Sequence, residues 1–495
     1  MSEKDCRKDC GVLLHISSLP NKYGIGGLGK QAREFADFLA RAGQSYWQVL
    51  PIGPTSYGDS PYQSPSSYAG NPYFIDLETL CEDGLITASE LKSAECGGSR
   101  VDYGKLYNER TALLRKAFER FDTAKPEYIE FCESNRDWLY PYAVFSAVKA
   151  HFGMKPHNEW DEPYRDCGSE EVKNFADAHI RDIEFTQFLQ YEFDIQWRSL
   201  RSYANSIGVK IIGDAPIYVA YDSADFWQNP KMFDVNVKGE LRSVAGVPPD
   251  YFSADGQLWG NPLYNWEYMR EHGYDYYVSR VRRAFELYDL LRIDHFRGFD
   301  EYYAVPSGSV NARVGEWRKG PNKALFDAVE AKLGKLDIIA EDLGLIGDSV
   351  RELVKSCGFP GMKVLQFGFD GEAKYNPHAL RNFRAEYIGY TGTHDNDTAR
   401  GWYESLGADA KKRVRSRLSK FGKDVPRAMI NALYSSRART VIVPMQDWLN
   451  EGSTARMNTP GTLGANWQYR LSNLPTDKLA KEMLDAARKY ERTFS

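Results

Sequence analysis

Eight short runs of apolar, β-favouring residues punctuate the chain. They are Val12–Ile16 (VLLHI), Tyr46–Ile52 (YWQVLPI), Val209–Val219 (VKIIGDAPIYV), Leu290–Phe296 (LLRIDHF), Asp337–Ala340 (DIIA), Lys363–Phe369 (KVLQFGF), Tyr387–Tyr390 (YIGY) and Thr440–Pro444 (TVIVP). Near-continuous apolar character, rather than alternation, predicts strands covered on both faces, as in a parallel sheet. Helical patterns separate the runs. Residues Gln31–Ala42 place Phe35, Phe38 and Leu39 on one stripe, and Ser349–Ser356 reads as a short helix opening on a Ser cap. Eight strand–helix units fit a (β/α)8 TIM barrel of the α/β class better than an open doubly wound sheet.

The spacing is uneven. Residues 53–205, between the second and third strands, exceed any simple loop and contain helical patterns at Leu106–Phe121 and Trp138–Phe152. They are expected to form an insertion subdomain beside the barrel. Only about fifty residues follow the last strand, too few for a C-terminal β-sandwich. Residues 1–495 are therefore read as a single catalytic barrel domain with insertions.

Composition narrows the partners. The chain has 495 residues, a net charge of −5 and 26% charged residues. That mild acidity offers no footprint for nucleic acid or an anionic membrane and suits a neutral ligand. Aromatic residues reach 14%, with 32 Tyr and 11 Trp, enough to supply stacking platforms for sugar faces as well as core. Seven scattered Cys predict free thiols in a reducing compartment. With no secretory h-region and no run approaching ~18 apolar residues, a cytoplasmic location is expected.

Two motifs mislead. Residues 24–29 read GIGGLG, yet Ser17–Tyr23 separate them from the first strand, and no carboxylate ends the second, so a dinucleotide site is not supported. Lys30 extends a P-loop resemblance, but Gln31 stands where a metal-binding hydroxyl is needed. The eight His show no zinc-ligand spacing, so no metal and no cofactor is expected.

Chemistry concentrates at strand ends, where barrels place their sites. The third strand delivers Asp214. The fourth delivers Arg292, Asp294 and His295, the fifth Glu341 and Asp342, and the seventh leads into His394 and Asp395. Carboxylates from four strands thus converge on one mouth, and each is costly there unless paired or used. Two carboxyl groups flanking a bond are what glycoside cleavage needs, one ionised and one protonated. Arg292 lies two residues before Asp294, so both point to one face and the cation would keep Asp294 ionised as nucleophile. The longer side chain of Glu341 suits acid/base work. Asp395 and His394 would hold sugar hydroxyls.

RIDHFRG (292–298), AEDLG (340–344), GTHDND (392–397) and GDAPIYVA (213–220) resemble the α-amylase clan, and within it the amylomaltases, the 4-α-glucanotransferases of glycoside hydrolase family 77. Segments 60–77, 246–264, 358–370 and 457–470 resemble stretches that set amylomaltases apart, and 246–264 looks like their long loop after the third strand. The resemblance runs from His15 to Arg470. It implies Asp294 as nucleophile, Glu341 as acid/base and Asp395 as transition-state stabiliser. It further implies Tyr62, Asp214, Arg292 and His394 around the cleaved sugar, and Gln257, Trp259 and Asn466 on neighbouring glucose units. The implied reaction moves α-1,4-glucan segments to the 4-hydroxyl of an acceptor by retaining double displacement. Donors would be maltooligosaccharides, amylose, starch or glycogen, and the protein a monomer or weak homodimer. The rival enzyme reading is a retaining α-1,4-glucan hydrolase, in which water takes the acceptor's place. A glucan-binding protein without turnover is the rival from another class, and the intact Asp294, Glu341 and Asp395 argue against it.

Overall fold

Parallel pairing links all eight predicted runs into one sheet. In the computed structural model, which describes residues 8–493 apart from 57, 250–252 and 345, the strands are β1 (Asp9–Leu13), β2 (Tyr46–Gln48), β3 (Lys210–Ala215), β4 (Leu290–Ile293), β5 (Ile338–Ala340), β6 (Gly361–Val364), β7 (Tyr387–Tyr390) and β8 (Thr440–Pro444). Their spatial order is β6-β7-β8-β1-β2-β3-β4-β5. The two ends of that sheet meet where the Ala340 N–H donates to the Pro360 carbonyl at 2.9 Å. The fold is a (β/α)8 TIM barrel.

Strand faces follow the two-residue period. Trp47 points outward, edge-on to Phe35 at 5.0 Å on helix Lys30–Arg41, while the flanking Gln48 accepts a hydrogen bond from Tyr390 Oη at 3.0 Å. Gly213 faces outward, and a Cβ there would lie 2.1 Å from the Tyr288 ring. That close approach turns Asp214, the next residue, into the barrel. Long apolar strands expected from sequence are shorter in space. Val209–Val219 forms a strand only over Lys210–Ala215, and Lys363–Phe369 leaves the ladder at Val364 for a 3-10 turn over Leu365–Phe369. The first strand begins at Asp9 rather than Val12. The helix expected from a Ser cap runs Asp348–Cys357 and opens on Gly347 instead.

Between β2 and β3 lies a run of helices, including Thr111–Arg120, Arg136–His151 and the 27-residue Ile180–Ser206. Part of it builds a second core, in which Phe145, Trp160, Phe175 and Trp227 meet. After β3 the chain departs from the expected loop over 246–264. Strands Ser243–Val247 and Gln257–Pro262 pair antiparallel and join Glu301–Pro306 and Glu316–Lys319 in a four-stranded sheet. A bulge between Val244 and Gly246 and Gly260 inside the second strand break the regular alternation that would mark these strands in sequence. Among the described residues, no helix is long and apolar enough to cross a membrane.

Candidate active site

Asp214 and Arg292 are neighbours across the β3–β4 ladder, where residue 214 pairs with residue 292. The Arg292 guanidinium is 4% exposed and divides its donors. Nη1 donates to Asp214 Oδ1 and Oδ2 at 2.7 and 2.6 Å, and Nη2 donates to Asp294 Oδ1 at 2.6 Å. One buried cation therefore orients two carboxylates, which is the condition for keeping such charges out of water. Burial still pushes Asp214 up to about 6, with Arg292 and the Tyr62 hydroxyl acting in the opposite direction. Tyr62 Oη donates to Asp214 Oδ2 at 2.9 Å, and burial with the Asp214 charge holds that hydroxyl protonated.

The chain turns sharply after Asp294. His295 has φ +52°, a left-handed conformation that costs a non-glycine residue about 1–3 kcal/mol. The turn aims its N–H at Glu341 Oε2, 2.8 Å away, while the Leu343 N–H donates to Glu341 Oε1 at 2.8 Å. Both oxygens of Glu341 are thus positioned by backbone. Burial raises the Glu341 pKa well above the usual carboxylate range and the Asp294 charge raises it further, outweighing Arg292 and the two N–H donors. The His295 imidazole, pushed down to about 4 by burial, stays neutral and packs edge-on to Trp259 at 4.7 Å. Asp342, by contrast, turns away from the mouth and accepts from the Met362 N–H at 2.6 Å.

The segment after β7 carries His394 and Asp395 to the opposite side. His394 Nε2 lies 3.3 Å from Asp395 Oδ1, and its ring stacks on Tyr62 at 5.2 Å and 15°. The later chain returns over this pair. Asn458 Nδ2 donates to Asp395 Oδ1 at 2.6 Å, Arg456 Nη2 donates to the Asp395 carbonyl at 2.6 Å, and Trp467 packs against both Tyr62 and His394. Trp467 also has a left-handed φ, +66°. Asn458 and Arg456 carry no sequence signal that marks them as site residues, whereas Trp467 belongs to the 457–470 segment that resembles the family. No periodicity reports that a segment beyond the last strand folds back.

The remaining predicted residues separate. Gln257 and Trp259 share one face of strand Gln257–Pro262, and the Trp259 indole N–H donates to Gln257 Oε1 at 3.1 Å. Through His295 they border Glu341. Asn466 does not join them. Its carboxamide accepts from the Thr459 N–H at 3.0 Å and donates to the Thr462 carbonyl at 2.9 Å, tying together its own loop. Among the described residues, no group of three His, Cys, Asp or Glu could hold a metal ion.

Comparison with known proteins adds to this geometry. A family model described as 4-alpha-glucanotransferase matches residues 14–476. A 4-alpha-glucanotransferase of Clostridium butyricum is 44% identical over 486 residues, spanning 97% of this chain and 100% of that one. The Thermus thermophilus enzyme of the same description is 44% identical over 93% of this chain and 94% of its own. Among solved structures, the amylomaltase from Streptococcus agalactiae in complex with acarbose superposes with a TM-score of 0.95 at 37% identity, covering 99% of this chain and 100% of that one. With its barrel, its convergent carboxylates and a match along nearly its whole length, the chain belongs to the 4-α-glucanotransferase family of glycoside hydrolase 77.

Proposed function

We propose that this protein transfers α-1,4-glucan segments between maltooligosaccharides or longer α-glucans by retaining double displacement, with Asp294, Glu341 and Asp395 as its catalytic residues. The observation that carries this reading is the pair of unlike carboxyl groups across the β4–β5 mouth. Asp294 is ion-paired to Arg292, and Glu341 holds its proton through burial. In the first step Asp294 Oδ attacks the anomeric carbon, the bond to the leaving oxygen breaks, and Glu341 gives that oxygen its proton. The result is a glucosyl ester on Asp294 and a free chain end. In the second step Glu341 takes the proton of an acceptor 4-hydroxyl, that oxygen attacks the anomeric carbon, and Asp294 leaves. Asp395, fixed by Asn458 and His394, hydrogen-bonds the ring hydroxyls as the sugar flattens. Tyr62, backed by the buried Trp467, offers aromatic surface to the same sugar, and Gln257 and Trp259 border the next.

Transfer prevails when a sugar, not water, meets the ester. Trp259 on one rim and Tyr62 on the other favour a stacked sugar over water at that point. Incubation of the pure protein with maltotriose, without phosphate or nucleotide, tests the reading by mass spectrometry. Glucose with a ladder of longer maltooligosaccharides at constant total reducing ends is expected. Glucose and maltose alone, with reducing ends rising, would replace the transferase by the hydrolase.

A further inference from the structure

Asp447 lies outside the carboxylates assigned above. It sits in the short helix Met445–Trp448 that follows β8 and is 3% exposed. Its two oxygens are committed to two points of one loop. Oδ2 accepts from Thr391 Oγ1 at 2.6 Å, and Oδ1 accepts from the Ala399 N–H at 2.7 Å. Thr391 is the first residue after β7, and Ala399 opens helix Ala399–Ser405. The stretch between these anchors is the loop that carries His394 and Asp395. We infer that Asp447 is a positioning residue for transfer, a clamp that closes both ends of the 391–399 loop and thereby sets where Asp395 meets the sugar. The inference rests on the reading of Asp395 given above.

Other bonds hold points inside the loop: Asn458 and Arg456 hold Asp395 directly, and the Gln366 N–H donates to the Thr391 carbonyl at 3.2 Å. Asn396 Oδ1 accepts from the Thr393 N–H and Oγ1 at 2.8 and 3.0 Å, which rounds the turn. Gln366 Nε2 donates to the Asp397 carbonyl at 2.8 Å, and Ser453 Oγ donates to Asp397 Oδ2 at 2.6 Å. Gln366 thus ties the strand end to residue 397, and of these side chains Asp447 carries the tie on to the N–H of Ala399 that opens the helix. A carboxylate can accept at both oxygens at once, whereas an apolar side chain of the same size can accept at neither. A displacement near 1 Å at a group that acts on the transition state costs rate of the order of a hundredfold, while Trp259 and Gln257, on a strand outside the loop, keep their ground-state contacts.

The test compares Asp447→Leu, Asp447→Asn and Thr391→Val with the wild type on maltotriose, with kcat referred to folded protein and melting temperature recorded alongside. Asp447→Leu should lower kcat at least tenfold and Thr391→Val roughly threefold, with KM held within about twofold, as expected for lost alignment. Asp447→Asn should restore at least half the wild-type kcat, because its carbonyl accepts from Ala399 and its amide donates to Thr391. If Asp447→Leu does not fold, Thr391→Val decides, since it removes one anchor without changing volume. Full kcat per folded molecule in the non-amide variants, beside an inactive Asp395→Asn, would overturn the clamp alone. An active Asp395→Asn would instead overturn the reading of the site on which the clamp depends.

Discussion

Glu341→Gln removes the transferable proton and sets an NH2 group against one of two backbone donors, the His295 or the Leu343 N–H. We expect kcat on maltotriose to fall by about 10²–10⁴-fold with an unchanged circular dichroism spectrum, the range that general acid–base catalysis supplies. The pH profile carries the sign of the same environment. In the proposed mechanism the first step needs protonated Glu341, so the rate should fall as pH rises through its pKa. Because burial and Asp294 raise that pKa, this limb should lie well above the ordinary glutamate range near about 4.3. A basic limb centred at pH 4–5 would contradict the assignment. At this scale Asp214, Asp294 and Glu341 were legible because each stands at or just past the end of an apolar strand, where a charge is hard to explain structurally, whereas Asp395 lies out in the loop after β7. The left-handed backbone at His295 and Trp467 was not legible, since neither residue type announces a positive φ as glycine does. Asn466 enters only through the family resemblance, and the hydrogen bonds that its carboxamide makes within its own loop are visible only in the fold.

Among the elements, helix Ile180–Ser206 carries a titratable load away from the mouth. Glu192 on this helix is 2% exposed, and burial together with Asp83 pushes its pKa up to about 7. A carboxyl raised in the folded state contributes stability that is present below its unfolded pKa and lost as pH rises through the folded one. Between pH 4.5 and 7 this side chain should therefore cost the fold up to about 3 kcal/mol, at 1.36 kcal/mol per unit. Glu192→Gln should abolish that slope, giving a higher urea midpoint than wild type at pH 8 and a similar one at pH 4.5. Equal midpoints at pH 8 would show that the glutamate is relieved by another route. Barrel strands were legible as elements because a doubly covered strand needs an unbroken apolar run. The four-stranded antiparallel sheet was not, because Ser243–Val247 is short and small, Gln257–Pro262 is interrupted by Gly260, and Glu316–Lys319 is charged apart from Trp317.

For the whole molecule, the end of the chain seals the bottom of the barrel. Arg492 is fully buried, and its guanidinium donates to the carbonyls of Asp9, Tyr434, Ser436, Ala438 and Arg439, between 2.7 and 3.2 Å. It joins the start of β1, the approach to β8 and the C-terminal segment in one contact. Arg492→Ala strands several buried acceptors and should lower stability by roughly 2–4 kcal/mol, read as a drop in melting temperature. The rate on maltotriose below that temperature should be unchanged, because the contact lies at the opposite end of the strands from the carboxylates. The barrel is bound less evenly at its other junction. Among the described residues, β5 and β6 share no ladder of paired residues, and the edges are joined by the Ala340 N–H on the Pro360 carbonyl and, just past β5, by the Met362 N–H on Asp342. A closed cylinder with one thin weld behaves as a rolled sheet whose seam parts first. Amide deuteration should accordingly reach Ile338–Ala340 ahead of the other barrel strands. Since Glu341 is the next residue beyond that seam, warming should silence the enzyme while most of the barrel still holds its protons.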